Sequence, residues 1–406
     1  MPTFSSPAVP ALLREMNERK VLDTLRTHGA LHAAQVARIN GLSKPTTSVI
    51  LRSLVDFGLV QEYFPGADDP KRARSVFEAI SDVHVALAID IGARFIRAGV
   101  SDLSGTVRSQ VSIAVKSLTL SSIVKTMHEA ADSALKESGF AFKKVNSLVV
   151  GAPGVVDQLS GELAIAGTIT ELDGVNVSTL VKREFGIAPL VENDINLATL
   201  AEMDQGHGVG LRNFAVLSVG SGLGAGIVLN GELVRGHRGA AGEVFYVPFG
   251  DPSDTHRSST NPSGDRISEI ASSLAGNYPD SVLSLPYTTI GILDAARQGD
   301  ALAKAVVKQE AERIALYVAT ISSVVDVELV VLAGGIGRQA DFFLQPVRDF
   351  VASIVPFPPR IEVTTLGEGS VLRGALDLAT SIACDQVFAE RAAGHHRARA
   401  ITESVS

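Results

Sequence analysis

A chain of 406 residues that is 46% hydrophobic and 20% charged is too long for one ordinary core and too apolar for a disordered polymer, so two or three folded domains are expected. No uncharged apolar run reaches 18 residues, and the opening MPTFSSPAVPALL has no basic leader, which points to a cytoplasmic protein without an anchor. The single cysteine, Cys384, excludes a disulfide framework and a cysteine-ligated zinc site.

The net charge of -8 is unevenly spread: residues 1–80 carry 10 basic and 8 acidic side chains, and the rest carry 26 and 36. Only the amino-terminal segment suits a polyanion. Past a proline-bearing arm, Leu12, Leu13, Met16, Val21, Leu22 and Leu25 recur at helical spacing up to His28 and Gly29. A short helix over 32–40 buries Val36 and Ile39, and Gly41 supplies a turn. Ser43 then caps a third helix, with Pro45 in its first turn, that runs to about Asp56. Thr47, Ile50 or Leu51, and Leu54 face inward, leaving Ser43, Lys44, Thr46, Ser48 and Arg52 outward. Helix, glycine turn and helix with a polar face is the plan of a helix-turn-helix that reads the major groove. Two strands around the loop GADDPKRARS form a wing whose tip carries Lys71, Arg72 and Arg74. The blander alternative is a helical packing module with a solvated basic loop.

The stretch VALAIDIGARFIRAGVSDLSG from Val85 reads as strand, glycine turn, strand, and FAVLSVGSGLGAGIVLNGEL from Phe214 repeats that grammar. Such an echo predicts two related lobes, each opening with a hairpin whose turn faces the cleft between them. The strand ending in Glu192, Asn193 and Asp194 leaves carboxylates at a carboxyl edge, where open α/β sheets bind ligands. Glycines at 220, 222, 224 and 226 would let backbone amides approach a ligand or phosphate. Residues 250–264 form a polar loop by composition. The remaining pattern is helices near 267–274, 288–297 and 301–323, a strand VELVVLAGGIGR, and a last helix over about 369–392 before a frayed tail.

The set formed by the END triplet at 192–194, GSGLGAG at 220–226 and GAAGE at 239–243, together with GAPGVVD at 151–157, resembles the ROK family, in which repressors and sugar kinases share an actin-like (ribonuclease H-like) fold. The resemblance implies that Asp194 stands where a kinase keeps its sugar-hydroxyl base. It also places Asn193, Glu243, Tyr246 and Glu269 around a sugar site, and Asp90, Gly92, Gly220, Ser221, Gly222, Gly224, Gly334 and Gly335 around a degenerate nucleotide site. Where the family's kinases read Asp-Ile-Gly-Gly-Thr, this chain has Ala93 and Arg94 after Gly92. The liganding histidine is replaced within Val244, Phe245 and Tyr246, and the three-cysteine zinc loop by a Ser/Thr-rich one. No metal, cofactor or catalytic residue is therefore expected.

The expected architecture is a winged helix-turn-helix at 11–80, a first lobe at 84–195 plus 370–395, and a second at 196–369. The expected function is a DNA-binding transcriptional regulator, a repressor, that senses a sugar or sugar phosphate and binds a palindromic operator as a homodimer or homotetramer. Two alternatives stand beside it: an active sugar kinase with a DNA-binding head, and a DNA-binding scaffold without a small-molecule ligand.

Overall fold

The computed structural model describes residues 8–65, 75–167, 169–220, 222–249 and 262–404. The chain opens with α1 (Ala8–His28), α2 (Ala33–Asn40) and α3 (Lys44–Asp56), followed by a hairpin of β1 (Val60–Tyr63) and β2 (Val76–Ala79). Gly41 ends α2 at φ 66°, in the left-handed region that glycine adopts without strain, and its amide reaches the carbonyls of Ala37 and Arg38. Ser43 then caps α3 by accepting from the Thr46 amide. Thr47, Ile50, Leu51 and Leu54 are buried, as the helical stripe predicts, while Ser43, Lys44, Thr46, Ser48 and Arg52 are exposed.

The first lobe comprises β3 (Val85–Ile91), β4 (Phe95–Asp102), β5 (Val107–Ala114), α4 (Leu120–Ser138), β6 (Val145–Ala152), a small hairpin of β7 (Val155–Val156) and β8 (Leu163–Ala164), α5 (Val177–Phe185) and β9 (Leu190–Asn193). Helix α6 (Asp194–Gln205) leads out of it. The second lobe has β10 (Phe214–Val219), β11 (Leu223–Leu229), β12 (Glu232–Leu233), α7 (Gly264–Leu274), α8 (Thr289–Arg297), α9 (Ala301–Val325), β13 (Leu329–Ala333), α10 (Gly334–Gly337), α11 (Ala340–Ile354) and β14 (Arg360–Val363). Helix α12 (Ser370–Ser404) ends the chain.

The sheets run β5-β4-β3-β6-β9 and β12-β11-β10-β13-β14. In each, an antiparallel hairpin leads into two parallel strands. The echo in the sequence is thus a repeated sheet. Helix α12 runs past the end read from the apolar pattern, continuing to Ser404; the alanines and arginines of 392–400 are strong helix formers, and polarity alone does not end a helix.

One apolar cluster fills the second lobe around Leu217, Tyr317 and Phe343, and another fills the first around Ile89, Ile96 and Val150. A third is shared. It joins Val21, Leu25, Leu51 and Leu54 of the helical head to Ala86, Ala88, Leu197, Leu376 and Phe388. Arg19 of α1 pairs with Asp385 of α12, and its guanidinium lies 4.8 Å from the Phe388 ring centroid. The head is therefore built onto the first lobe through α12.

Candidate functional site

Among the described residues, the outer face of α3 and the cleft between the lobes hold most of the polar side chains singled out from the sequence. On α3, the Ser43 and Thr46 hydroxyls bond each other at 2.7 Å. A groove of about 350 Å³ beside the helix is lined by Ser48, Val49, Arg52 and Asp56, with Arg14 of α1 on its rim. Arg14 was not singled out from the sequence, because only the docking of α1 against α3 brings it there. Lys71, Arg72 and Arg74 lie outside the described residues.

The cleft is organised by the junction of β9 and α6. Glu192 is buried, and its carboxylate accepts from Arg235 Nε at 2.6 Å, from Asn196 Nδ2 at 2.9 Å and from the Asn193 amide. Asn193 caps α6 through Oδ1, accepting from the Asn196 amide at 3.0 Å, and its Nδ2 donates to the Gly154 carbonyl at 2.8 Å. Both ends of that amide are engaged within the chain, and they fix Asp194 as the first residue of α6.

Burial pushes the Asp194 carboxyl up to about 7; repulsion from Asp90 adds to this, the Ile195 amide at 2.8 Å opposes it, and Glu243 raises it further. Burial also pushes Asp90 up to about 6, against the pull of Arg97, whose Nη1 lies 3.2 Å from Asp90 Oδ2. Glu243 is raised by burial. Three carboxyls from separate stretches thus share one field, and each is easier to protonate than a carboxyl in water. Tyr246 sits at the exposed edge of the same loop, its ring edge-on to Phe245 at 5.4 Å.

Glu269 is not brought to this cluster. It is exposed on α7, paired with Arg266, and its charge acts on Arg313 of α9. Asp90 is the electrostatic neighbour of Asp194 instead, because β3, β6 and β9 run parallel in that order and end along one edge of the sheet.

The glycine turns also divide. The Gly92 amide donates to Phe95 O at 3.0 Å, and that of Gly220 to Gly222 O at 2.9 Å, closing two tight turns. Gly222 and Gly335 have open space around them, while Gly334, at φ 79°, presses on Val219. Gly224 and Gly226 serve another purpose than ligand approach: they lie inside β11, where an added Cβ would overlap Ile195 and Thr199 of α6. Those two positions correct the sequence reading, for the helix fills the space that a phosphate would need. Ser221 lies outside the described residues, as does most of the loop at 250–264. Among the described residues no group of three or more His, Cys, Asp or Glu could hold a metal ion.

Sequence reasoning missed the arginines. Arg97 faces Asp90 in register across the β3–β4 hairpin, and that spacing could have been counted from the turn. Arg235 on Glu192, Arg238 on Asp157 at 2.8 Å, and Arg338 on Glu368 at 3.0 Å join distant stretches and left no local signal.

A family model described as ROK family matches residues 86–382, and one described as IclR helix-turn-helix domain matches residues 20–62. The chain is 23% identical over 388 residues to a xylose repressor of Caldicellulosiruptor bescii, covering 91% of this chain and 96% of that one. It is 26% identical over 285 residues to a glucokinase of Halalkalibacterium halodurans, covering 66% and 86%. Among solved structures, a ROK family transcriptional regulator described as a homologue of the E. coli MLC protein superposes with a TM-score of 0.75 at 18% identity, covering 93% of this chain and 98% of its own. A ROK family glucokinase from Streptomyces griseus, in complex with glucose and AMPPNP, superposes at 0.62 and 25% identity, covering 73% and 99%.

Proposed function

The chain belongs to the ROK family, and from that premise we propose that it is a sequence-specific DNA-binding repressor whose cleft binds a sugar without phosphorylating it. The observation that carries this reading is the shared apolar core, which fuses a helix-turn-helix with an exposed polar α3 to the lobe that holds Asp90 and Asp194. Similarity to a xylose repressor along nearly its whole length supports it.

In this reading Ser43, Lys44, Thr46, Ser48 and Arg52 meet the major groove, and Lys71, Arg72 and Arg74 contact the backbone nearby. Asp194 and Glu243 accept hydroxyl hydrogen bonds, Asn193 holds Asp194 in place, and Tyr246 extends the site at its rim. The head suits a palindromic operator bound by a symmetric homo-oligomer. No helix among the described residues is long and apolar enough to cross a membrane, in keeping with a cytoplasmic regulator.

A ligand can move the operator equilibrium only through its differential affinity for two arrangements of the lobes. Titration of labelled operator at fixed salt, with a panel of aldoses led by xylose and their phosphates, tests the reading: one of them is expected to weaken DNA binding by about 5- to 150-fold. A second reading, phosphoryl transfer, is favoured by the intact Asp194 and by the glucokinase relatives. Consumption of ATP that depends on a sugar and is lost in Asp194→Asn would move the chain to that class.

A further inference from the structure

Phosphoryl transfer asks for a divalent cation on the nucleotide and for groups that cradle its phosphates, and the family resemblance puts Asp90 and the turns at 92 and 220–222 on that side of the cleft. The residues present do not fit that group. Arg97 lies directly across the hairpin from Asp90, and its Nη1 is 3.2 Å from the carboxylate. A guanidinium stays charged at every working pH, so no titration clears it. Its Nη2 lies 3.9 Å from Glu368 Oε2, and Glu368 Oε1 accepts from Arg338 Nη2 at 3.0 Å. Arg338 is anchored in turn by its Nε on the Gly334 carbonyl at 3.2 Å. The chain of charges Asp90, Arg97, Glu368, Arg338 thus runs from the first hairpin turn to the glycine turn that follows β13.

We propose that the nucleotide side of the cleft is filled from within: Arg97 takes the place of the cation, Glu368 takes the place of a phosphate, and the pair latches the first lobe to the second. This rests on the reading of the chain as a sugar-binding regulator, and it names the side chains that keep nucleotide out. An incoming Mg²⁺ would meet a fixed positive charge on Asp90, and incoming phosphates would have to displace Glu368 from two arginines. The two halves of the latch differ in strength. The Asp90 and Arg97 side chains are only 7% and 24% exposed, whereas Glu368 is 67% exposed, so solvent screens the outer pair far more. Arg97 is therefore the dominant element.

Calorimetric titration of Mg²⁺·ADP into the full chain tests this. The parent is expected to show no saturable binding. Arg97→Ser should bind with an affinity at least about tenfold above the parent's limit, Glu368→Gln should show a smaller gain, and Arg97→Lys, which keeps the cation, should stay closed. Folded Arg97→Ser and Glu368→Gln chains that both refuse nucleotide would overturn the latch and leave the repressor reading standing. Binding by the parent equal to that of the variants would also overturn it. If Arg97→Ser does not fold, Arg97→Gln, which removes the charge and keeps much of the side chain's bulk, takes its place: a gain over the parent supports the latch, and none refutes it. Sugar phosphorylation by the parent would instead remove the reading on which the latch rests.

Discussion

The helical head and the interlobe cleft are built in opposite ways. Within the head, cap, glycine turn and polar face come from one stretch, Gly41 to Arg52, and each device is completed by residues three or four positions away. The cleft draws Asp90 from one strand end, Asp194 from another, Glu243 from a loop and Arg97 from across a hairpin. Local construction tolerates exposure and leaves polar groups for an outside partner. Construction from distant stretches buries like charges together, which costs stability and is retained at sites that bind.

The largest expected effect probes whether the two regions are separate units at all. Leu54 is fully buried in the cluster that also holds Leu376 and Phe388. Leu54→Ala should cost about 2 to 5 kcal/mol in urea unfolding, and head and first lobe should still unfold in one transition. An early separate transition of the head would show that the shared core does not couple them.

Next in size is the operator. Arg52→Ala or Lys44→Ala should weaken binding by about 1 to 3 kcal/mol if either reads a base edge. Unchanged affinity in both, at fixed salt, would take α3 out of the groove.

Smaller, and specific to the cleft, is a pH effect. The Asp194 and Asp90 carboxyls are raised to about 7 and about 6, so the folded chain binds their protons more tightly than the unfolded chain does. Their contribution to stability is complete below the ordinary carboxyl value near 3.8 and is lost as pH rises through 6 to 7. Glu310, fully buried in the second lobe and raised to about 8 by burial against the pull of Arg313, continues the decline. Asp194→Asn should therefore be more stable than the parent at pH 8, by roughly 1 to 2 kcal/mol, with the difference fading toward pH 4. A variant less stable at pH 8 would mean that Asp194 sits in the cleft as a comfortable anion.

The same contrast explains what could be read in advance. The bounds of the head's helices were legible to within a few residues because periodicity, capping and glycine turns are local signals, although Ile39, expected to be buried with Val36, is exposed; the repeated hairpin was legible because strand and turn grammar recurs. Asp194 and Glu243 were singled out through motifs. Their coupling to Asp90, the cross-strand Arg97 and the reach of Arg338 to Glu368 depend on sheet order and chain return, which spacing along the sequence does not express. Gly224 and Gly226 mislead for the same reason: a glycine needed against a helix and one needed against a phosphate look alike until the helix is in place. Helix α12 outran its apolar stripe because the loss of apolar periodicity does not by itself end a helix.

In the repressor reading a sugar acts on DNA through Asp194 without chemistry. Fluorescence anisotropy of a labelled operator, read for the parent and for Asp194→Asn as sugar is added in the absence of ATP, tests that most directly. The prediction is equal operator affinity without sugar, release of the parent by one sugar, and a response in the variant blunted by at least about tenfold in sugar concentration. Parent and variant released alike, or both indifferent to every sugar and sugar phosphate, would contradict it.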